Sequence, residues 1–276
     1  MTVSTSGPSA TPGGDSLFER VLVGIDETPE SLVAAAQAKK LCAPNGRLEL
    51  LAVAETYLAA HAGTAARSAE EHVVARTSTM LDRARALVEP DEVHLVSGRL
   101  TTRLCKESTR TDATLIVVGV RPHRRRSALT FGGHDVEALH DAPCSVLIAR
   151  PGWGPSKPRR IVVGIDGSAD GRAAEIAARS LAGRLGCGLV PVVGLDDDDI
   201  DLDLLRAERE DGLLDPRDLA HAVVAASSED ALVLIGRRRT HDHRWGGSIA
   251  ERIVYSAHCS VLVVRHRGRD AGTRER

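Results

Sequence analysis

The sequence predicts an α/β protein of two tandem, doubly wound, open parallel sheets, the second copy shortened. The first observation behind this is an internal repeat. Arg20-Val-Leu-Val-Gly-Ile-Asp26 returns as Arg160-Ile-Val-Val-Gly-Ile-Asp166, Thr114-Leu-Ile-Val-Val-Gly119 as Ala231-Leu-Val-Leu-Ile-Gly236, and Ala142-Pro-Cys-Ser-Val-Leu-Ile-Ala-Arg150 as Ala257-His-Cys-Ser-Val-Leu-Val-Val-Arg265. Three landmarks in one order, twice, mark a duplicated unit of domain size. The second is the alternation of short β-branched runs with helical segments, which gives a parallel sheet covered on both faces; right-handed crossovers then leave an open doubly wound arrangement. The third is length, since 276 residues suit two ordinary domains.

In the first half, Val21 to Ile25 is a continuous apolar run of the kind a buried parallel strand requires. Thr28 is placed to cap the next helix, with Pro29 at its first position and Pro44-Asn45-Gly46 ending it. Leu48 to Val53 predicts the second strand. Apolar residues at helical spacing from Val73 to Leu87 predict a helix over 69–88, which Pro90 stops. Val93 to Val96 is a third strand, 100–109 a helix and Leu115 to Val118 a fourth strand. A helix over 135–140 leads to the last strand, Ser145 to Ala149.

The domains expected are 18–150 and 159–265, with a proline/glycine linker over 151–158 and disordered tails over 1–17 and 266–276. Asp26 to Asp166 is an offset of 140 and Cys144 to Cys259 one of 115, so the second copy is 25 residues shorter. The loss falls after Leu189 to Gly194, where Asp196 to Asp199 and an amphipathic segment over 200–209 replace the long helix. A crossover to a parallel strand needs about a dozen residues, so the second copy's third strand is expected to be missing or irregular. The acidic run reads as a solvated loop.

The composition is that of a soluble globular protein, 42% hydrophobic and 27% charged. A net charge of −2 and 2% aromatic residues argue against a polyanion binder or a single-strand stacking platform. The N-terminus lacks the basic start and apolar core of a signal peptide, and no apolar run could span a bilayer. A cytoplasmic location is expected. Five cysteines without a C-x-x-C pair read as reduced packing thiols.

In open α/β sheets, ligands bind beyond the carboxyl ends of the strands. The residues there are Asp26, Gly119, Gly132 and Gly133, and in the second copy Asp166, Gly236, Gly247 and Ser248. A glycine leaving a strand, followed by a glycine and hydroxyl residue opening a helix, can hold phosphate on backbone N–H groups. Two readings of Asp26 and Asp166 stand side by side: a ligand contact, or a cap on the following turn. The loops after Gly119 and Gly236 carry Arg121, His123, Arg124, Arg125 and Arg126, then Arg237, Arg238, Arg239, His241, His243 and Arg244. These arginines could bind phosphate by charge, or they are solvated and paired with local acids. No nucleophile–base pair or metal spacing stands out.

With these motifs in place, both halves resemble universal stress protein domains and the chain resembles a tandem universal stress protein of actinobacterial type. The resemblance rests on V-x-V-G-I-D in both copies, on L-I-V-V-G and L-V-L-I-G, and on Gly247-Ser-Ile-Ala-Glu-Arg-Ile-Val with Cys259-Ser-Val-Leu-Val-Val after it. It implies a Rossmann-like fold, dimerisation through the last strand and, in many members, ATP binding through G-x2-G-x9-G-[ST]. This sequence departs from that signature. Pro122 stands at the second glycine, Gly133 replaces the hydroxyl residue and Asp135 follows it; proline brings no N–H and Asp135 repels phosphate. In the second copy Arg239 stands at the second glycine, and Gly236 to Gly247 spans 11 positions against 13 for Gly119 to Gly132.

The expectation is a non-catalytic stress-response or regulatory protein with degenerate nucleotide sites and no required metal. The alternative is an ATP-binding member using Asp26, Gly119, Gly132, Gly133, Asp166, Gly236, Gly247 and Ser248; a weak ATPase ranks below both. The two halves should form an intramolecular pseudo-dimer, with Ser145 to Ala149 and Ser260 to Val264 paired antiparallel so that each covers the other's edge. A homodimer and an unidentified protein partner complete the expected associations; membrane and nucleic acid are not among them.

Overall fold

The computed structural model describes residues 17–56, 66–120, 142–153, 156–194, 216–237 and 249–266. Five strands belong to the first half: β1 (Arg20–Ile25), β2 (Arg47–Ala54), β3 (Glu92–Ser97), β4 (Leu115–Gly119) and β5 (Ser145–Ala149). Its helices are α1 (Glu30–Leu41), α2 (Ala66–Val88) and α3 (Leu100–Arg110). The second half contributes β6 (Arg160–Ile165), α4 (Ala169–Leu185), β7 (Gly188–Val193), α5 (Pro216–Ala226), β8 (Ala231–Gly236), α6 (Ile249–Ser256) and β9 (Ser260–Val264). The helix expected over 135–140, the acidic run and the place of the second copy's third strand all lie outside the described residues.

The two predicted sheets join into one of nine strands, ordered β3-β2-β1-β4-β5-β9-β8-β6-β7. Every pairing is parallel except the central one. There β5 and β9 run antiparallel, with Val146 opposite Val263, Leu147 opposite Leu262 and Ile148 opposite Val261. This is the seam that the family resemblance implies and the exposed-edge argument favours. On one face, alternate residues such as Val23, Leu50, Val117, Leu147, Leu262, Leu234 and Val163 form a core beneath α1, α2 and α4. On the other, Leu22, Ile116, Val146, Val261 and Val233 pack with Leu104 of α3, Val223 of α5 and Ile253 of α6. Small residues let α1 and α4 lie close to the sheet: Ala34, Ala35 and Ala38 in one, Ala174, Ala177 and Ala178 in the other, all buried.

One expectation needs correction. Thr28 does not cap α1. The helix opens at Glu30 with Pro29 in the cap position and no side-chain cap bond, because the Thr28 hydroxyl is turned to Asp26 instead. Within the linker, Trp153 is buried in a core cluster that holds residues of both halves. A Cβ on Gly152 would also lie inside 3.0 Å of the Glu229 carbonyl. All five cysteines are free thiols as expected, with Cys144 and Cys259 buried and the other three half-buried.

The shortened second copy leaves a visible trace. Helix α2 covers α1 and β2, so that Ala36 is 6% exposed and Leu48, Leu50 and Ala52 are buried. The repeat offset and strand register make Ile176, Leu189, Pro191 and Val193 their counterparts. Here Ile176 is 70% and Val193 56% exposed. Ile176→Glu is accordingly expected to change stability by no more than about 0.5 kcal/mol. Ala36→Glu, which puts a charge beneath α2, should cost about 3 kcal/mol or more. Denaturant titration of the two variants checks this.

Candidate functional site

At the carboxyl end of β1, Asp26 shapes the connection to α1. It leaves the strand into a turn, and its Oδ1 accepts from the Thr28 amide at 2.8 Å, the Thr28 hydroxyl at 2.6 Å and the Ser31 hydroxyl at 2.6 Å. Ser31 Oγ also takes the Asp26 amide at 3.0 Å. An aspartate with a hydroxyl residue two positions later forms this kind of local turn through its own side chain.

Gly119 ends β4, which lies beside β1. A Cβ there would fall inside 3.0 Å of the Glu30 carbonyl and the Ser31 nitrogen. Gly119 is therefore where the first turn of α1 touches the sheet. Through Ser31 it belongs to the same small cluster as Asp26.

The second half repeats the arrangement with different parts. Asp166 Oδ1 accepts from the Ser168 amide at 3.1 Å and the Ser168 hydroxyl at 2.6 Å. Ser168 is a true N-cap, in extended conformation, and its Oγ accepts from the Gly171 amide at 2.9 Å. Gly171 stands where Ser31 stands in the first copy, and a Cβ there would collide with Asp166 Oδ1. Gly236, at the end of β8, would likewise drive a Cβ into Asp170 and Gly171 of the first turn of α4. The chain leaving β9 closes this corner, with the His266 amide donating to Asp170 Oδ1 at 2.8 Å.

The structure thus brings Asp26 together with Gly119, and Asp166 with Gly236. Gly132, Gly133, Gly247 and Ser248 lie outside the described residues, as do most of the loop arginines. Arg237 is described, and its Nη1 donates to the Ala142 carbonyl at 2.7 Å, joined there by Arg265 Nη1 at 3.0 Å. Sequence reasoning missed Ser31, Ser168 and Gly171. The signal for one of these, Ser168, was present in the repeat itself, as Asp26-Glu-Thr28 and Asp166-Gly-Ser168.

Among the described residues no group of three His, Cys, Asp or Glu side chains is placed to hold a metal ion. No helix among them is long and apolar enough to cross a membrane.

Comparison with known proteins places this geometry. The universal stress protein family matches residues 17–150. A solved universal stress protein from Archaeoglobus fulgidus DSM 4304 aligns over 91% of this chain and 97% of its own, with a TM-score of 0.65 at 16% identity. A protein from Pseudomonas aeruginosa UCBPP-PA14, provisionally described as a universal stress protein, aligns over 91% and 94% with a TM-score of 0.55 at 17% identity. At such identities the likeness is one of fold. No curated protein matches the chain. Residues 17–150 are thus a universal stress protein domain, and the second half repeats its strand order within the same sheet.

Proposed function

We propose that this is a non-catalytic, regulatory universal stress protein of two domains, 18–150 and 159–265, whose strand-end nucleotide sites are degenerate. The observation that carries this reading is the structural employment of what survives of the signature. Oδ1 of Asp26 is occupied by Thr28 and Ser31, and Gly119 and Gly236 are the contact points of the first turns of α1 and α4. Both residue types are accounted for without a ligand. Pro122 and Arg239, at the family's second glycine, add to it from the sequence.

Titration of nucleotide-stripped protein with Mg-ATP tests the proposal. No saturable heat and no thermal shift are expected up to about 1 mM. A site with a dissociation constant near 10 μM would at 100-fold excess add about 2.7 kcal/mol of stability, which a melting curve detects readily. Such a shift would establish the ATP-binding alternative, with Asp26, Gly119, Gly132, Gly133, Asp166, Gly236, Gly247 and Ser248 as its residues. ATP turnover lost on changing Asp26 or Asp166 would be required for an ATPase.

A further inference from the structure

The two copies differ sharply in chemistry at one core position. Register places Glu49 of β2 between Leu22 of β1 and Glu92 of β3. The matching position on β7 is Val190, which packs against the core. Glu49 therefore sits in a slot that the repeat fills with an apolar side chain. It is 6% exposed, and its Oε2 is buried without a hydrogen-bond partner.

Its charged surroundings come from every neighbouring element. Strand β3 contributes Glu92 and His94, α3 contributes Glu107 and Arg110, β2 itself Arg47 and β1 Arg20. The cations are engaged elsewhere. Arg47 Nη2 lies 2.6 Å from Glu92 Oε1, and Arg110 donates to Glu107 Oε1 at 2.6 and 3.0 Å. Arg20 Nε donates to the Asp112 carbonyl at 2.8 Å. His94 Nε2 stands 3.4 Å from Glu92 Oε2. Burial first, and then the neighbouring Glu92 carboxylate, push the Glu49 carboxyl up, against the smaller opposing pull of Arg47 and Arg110.

We propose that Glu49 is a proton-binding site built into the β2–β3–α3 edge of the first half, which acidification tightens. Below the raised folded value, Glu49 is neutral in a slot that the repeat fills with Val190. Its stabilising contribution is fully present below the ordinary unfolded value and is lost as pH rises through the raised folded one, where an ionised carboxylate is left buried. The proton adds a donor to a cluster in which Glu92 and Glu107 are acceptors.

Thermal unfolding of the full chain, wild type against the nearly isosteric Glu49→Gln, tests this between about pH 8 and about pH 4. At the upper end the variant should melt roughly 2–4 °C higher, and the gap should close on acidification. Equal melting at high pH, or a more stable wild type there, would overturn the proposal. Carboxyl-carbon NMR supplies a reading independent of stability. The resonance missing from Glu49→Gln should titrate above the ordinary glutamate value of about 4.3, and a midpoint at or below that value refutes the site. In a His94→Asn background the melting gap must persist, because its loss would make His94 the titrating group.

Discussion

Gly119→Ala is expected to destabilise the chain by about 3 kcal/mol or more, with or without nucleotide. A methyl group there would lie inside 3.0 Å of the Glu30 carbonyl and the Ser31 nitrogen. These are backbone atoms of a helix anchored in the core by Ala34, Ala35, Ala38 and Leu41. A flexible side chain could swing aside, whereas this helix must shift as a body or lose its first turn. Gly236→Ala should behave alike against Asp170 and Gly171. Urea denaturation checks both variants, and a change under about 1 kcal/mol in either would show that the helix yields freely. The result also governs how nucleotide binding can be tested. Variants of Gly119 or Gly236 would lose binding by losing the helix, so ligand titration of the intact chain is the informative experiment.

Replacing Arg150 by methionine should cost about 2–4 kcal/mol and loosen the seam. Arg150 is 3% exposed, and its guanidinium donates to the carbonyls of Val254 at 2.6 Å and Cys259 at 3.2 Å, at the C-terminal end of α6. A cation there also meets the negative end of the helix dipole. Its backbone takes part in the same network. The Arg150 amide donates to Ser260 Oγ at 3.0 Å, Ser260 donates to Gln37 Oε1 at 2.8 Å, and Gln37 Nε2 donates to the Arg150 carbonyl at 2.8 Å. Methionine keeps much of the packing volume and leaves the two carbonyls without these donors. Faster hydrogen exchange at Val261 and Val263 should accompany the loss of stability. Protection equal to wild type at those amides would mean that the strand pair alone holds the halves together.

Much of this fold is legible in the sequence because β-branched runs and repeated landmarks are local signals. Ser145 to Ala149 follows from residue type, and the antiparallel seam from what the family resemblance implies together with the exposed edge that each half would otherwise have. The buried polar network at the seam does not. Gln37 looks like an ordinary helical glutamine, and only the meeting of α1 with Arg150 and Ser260, more than 100 positions away, gives it partners. The candidate site divides in the same way. Asp26, Gly119, Asp166 and Gly236 are readable as strand-end residues. Their local use is not, since a glycine needed for close approach looks the same whether a phosphate or a helix comes near. Thr28 departs from expectation for a related reason: its hydroxyl could serve the helix or the aspartate, and three-dimensional placement favours the aspartate.

The seam has a consequence for how such a molecule can change over time. In a dimer of identical chains every substitution appears twice, so a residue suited to one side of the two-fold must also be tolerated on the other. Here the related positions are separate codons. Gln37 faces the seam from the first half while its counterpart is Ala177, and Glu49 is matched by Val190. A whole covering helix is present over α1 while Ile176 of α4 is left exposed. Joining the two halves in one chain released them from symmetry, and one half can keep the packing that holds the sheet while the other drifts toward a different surface.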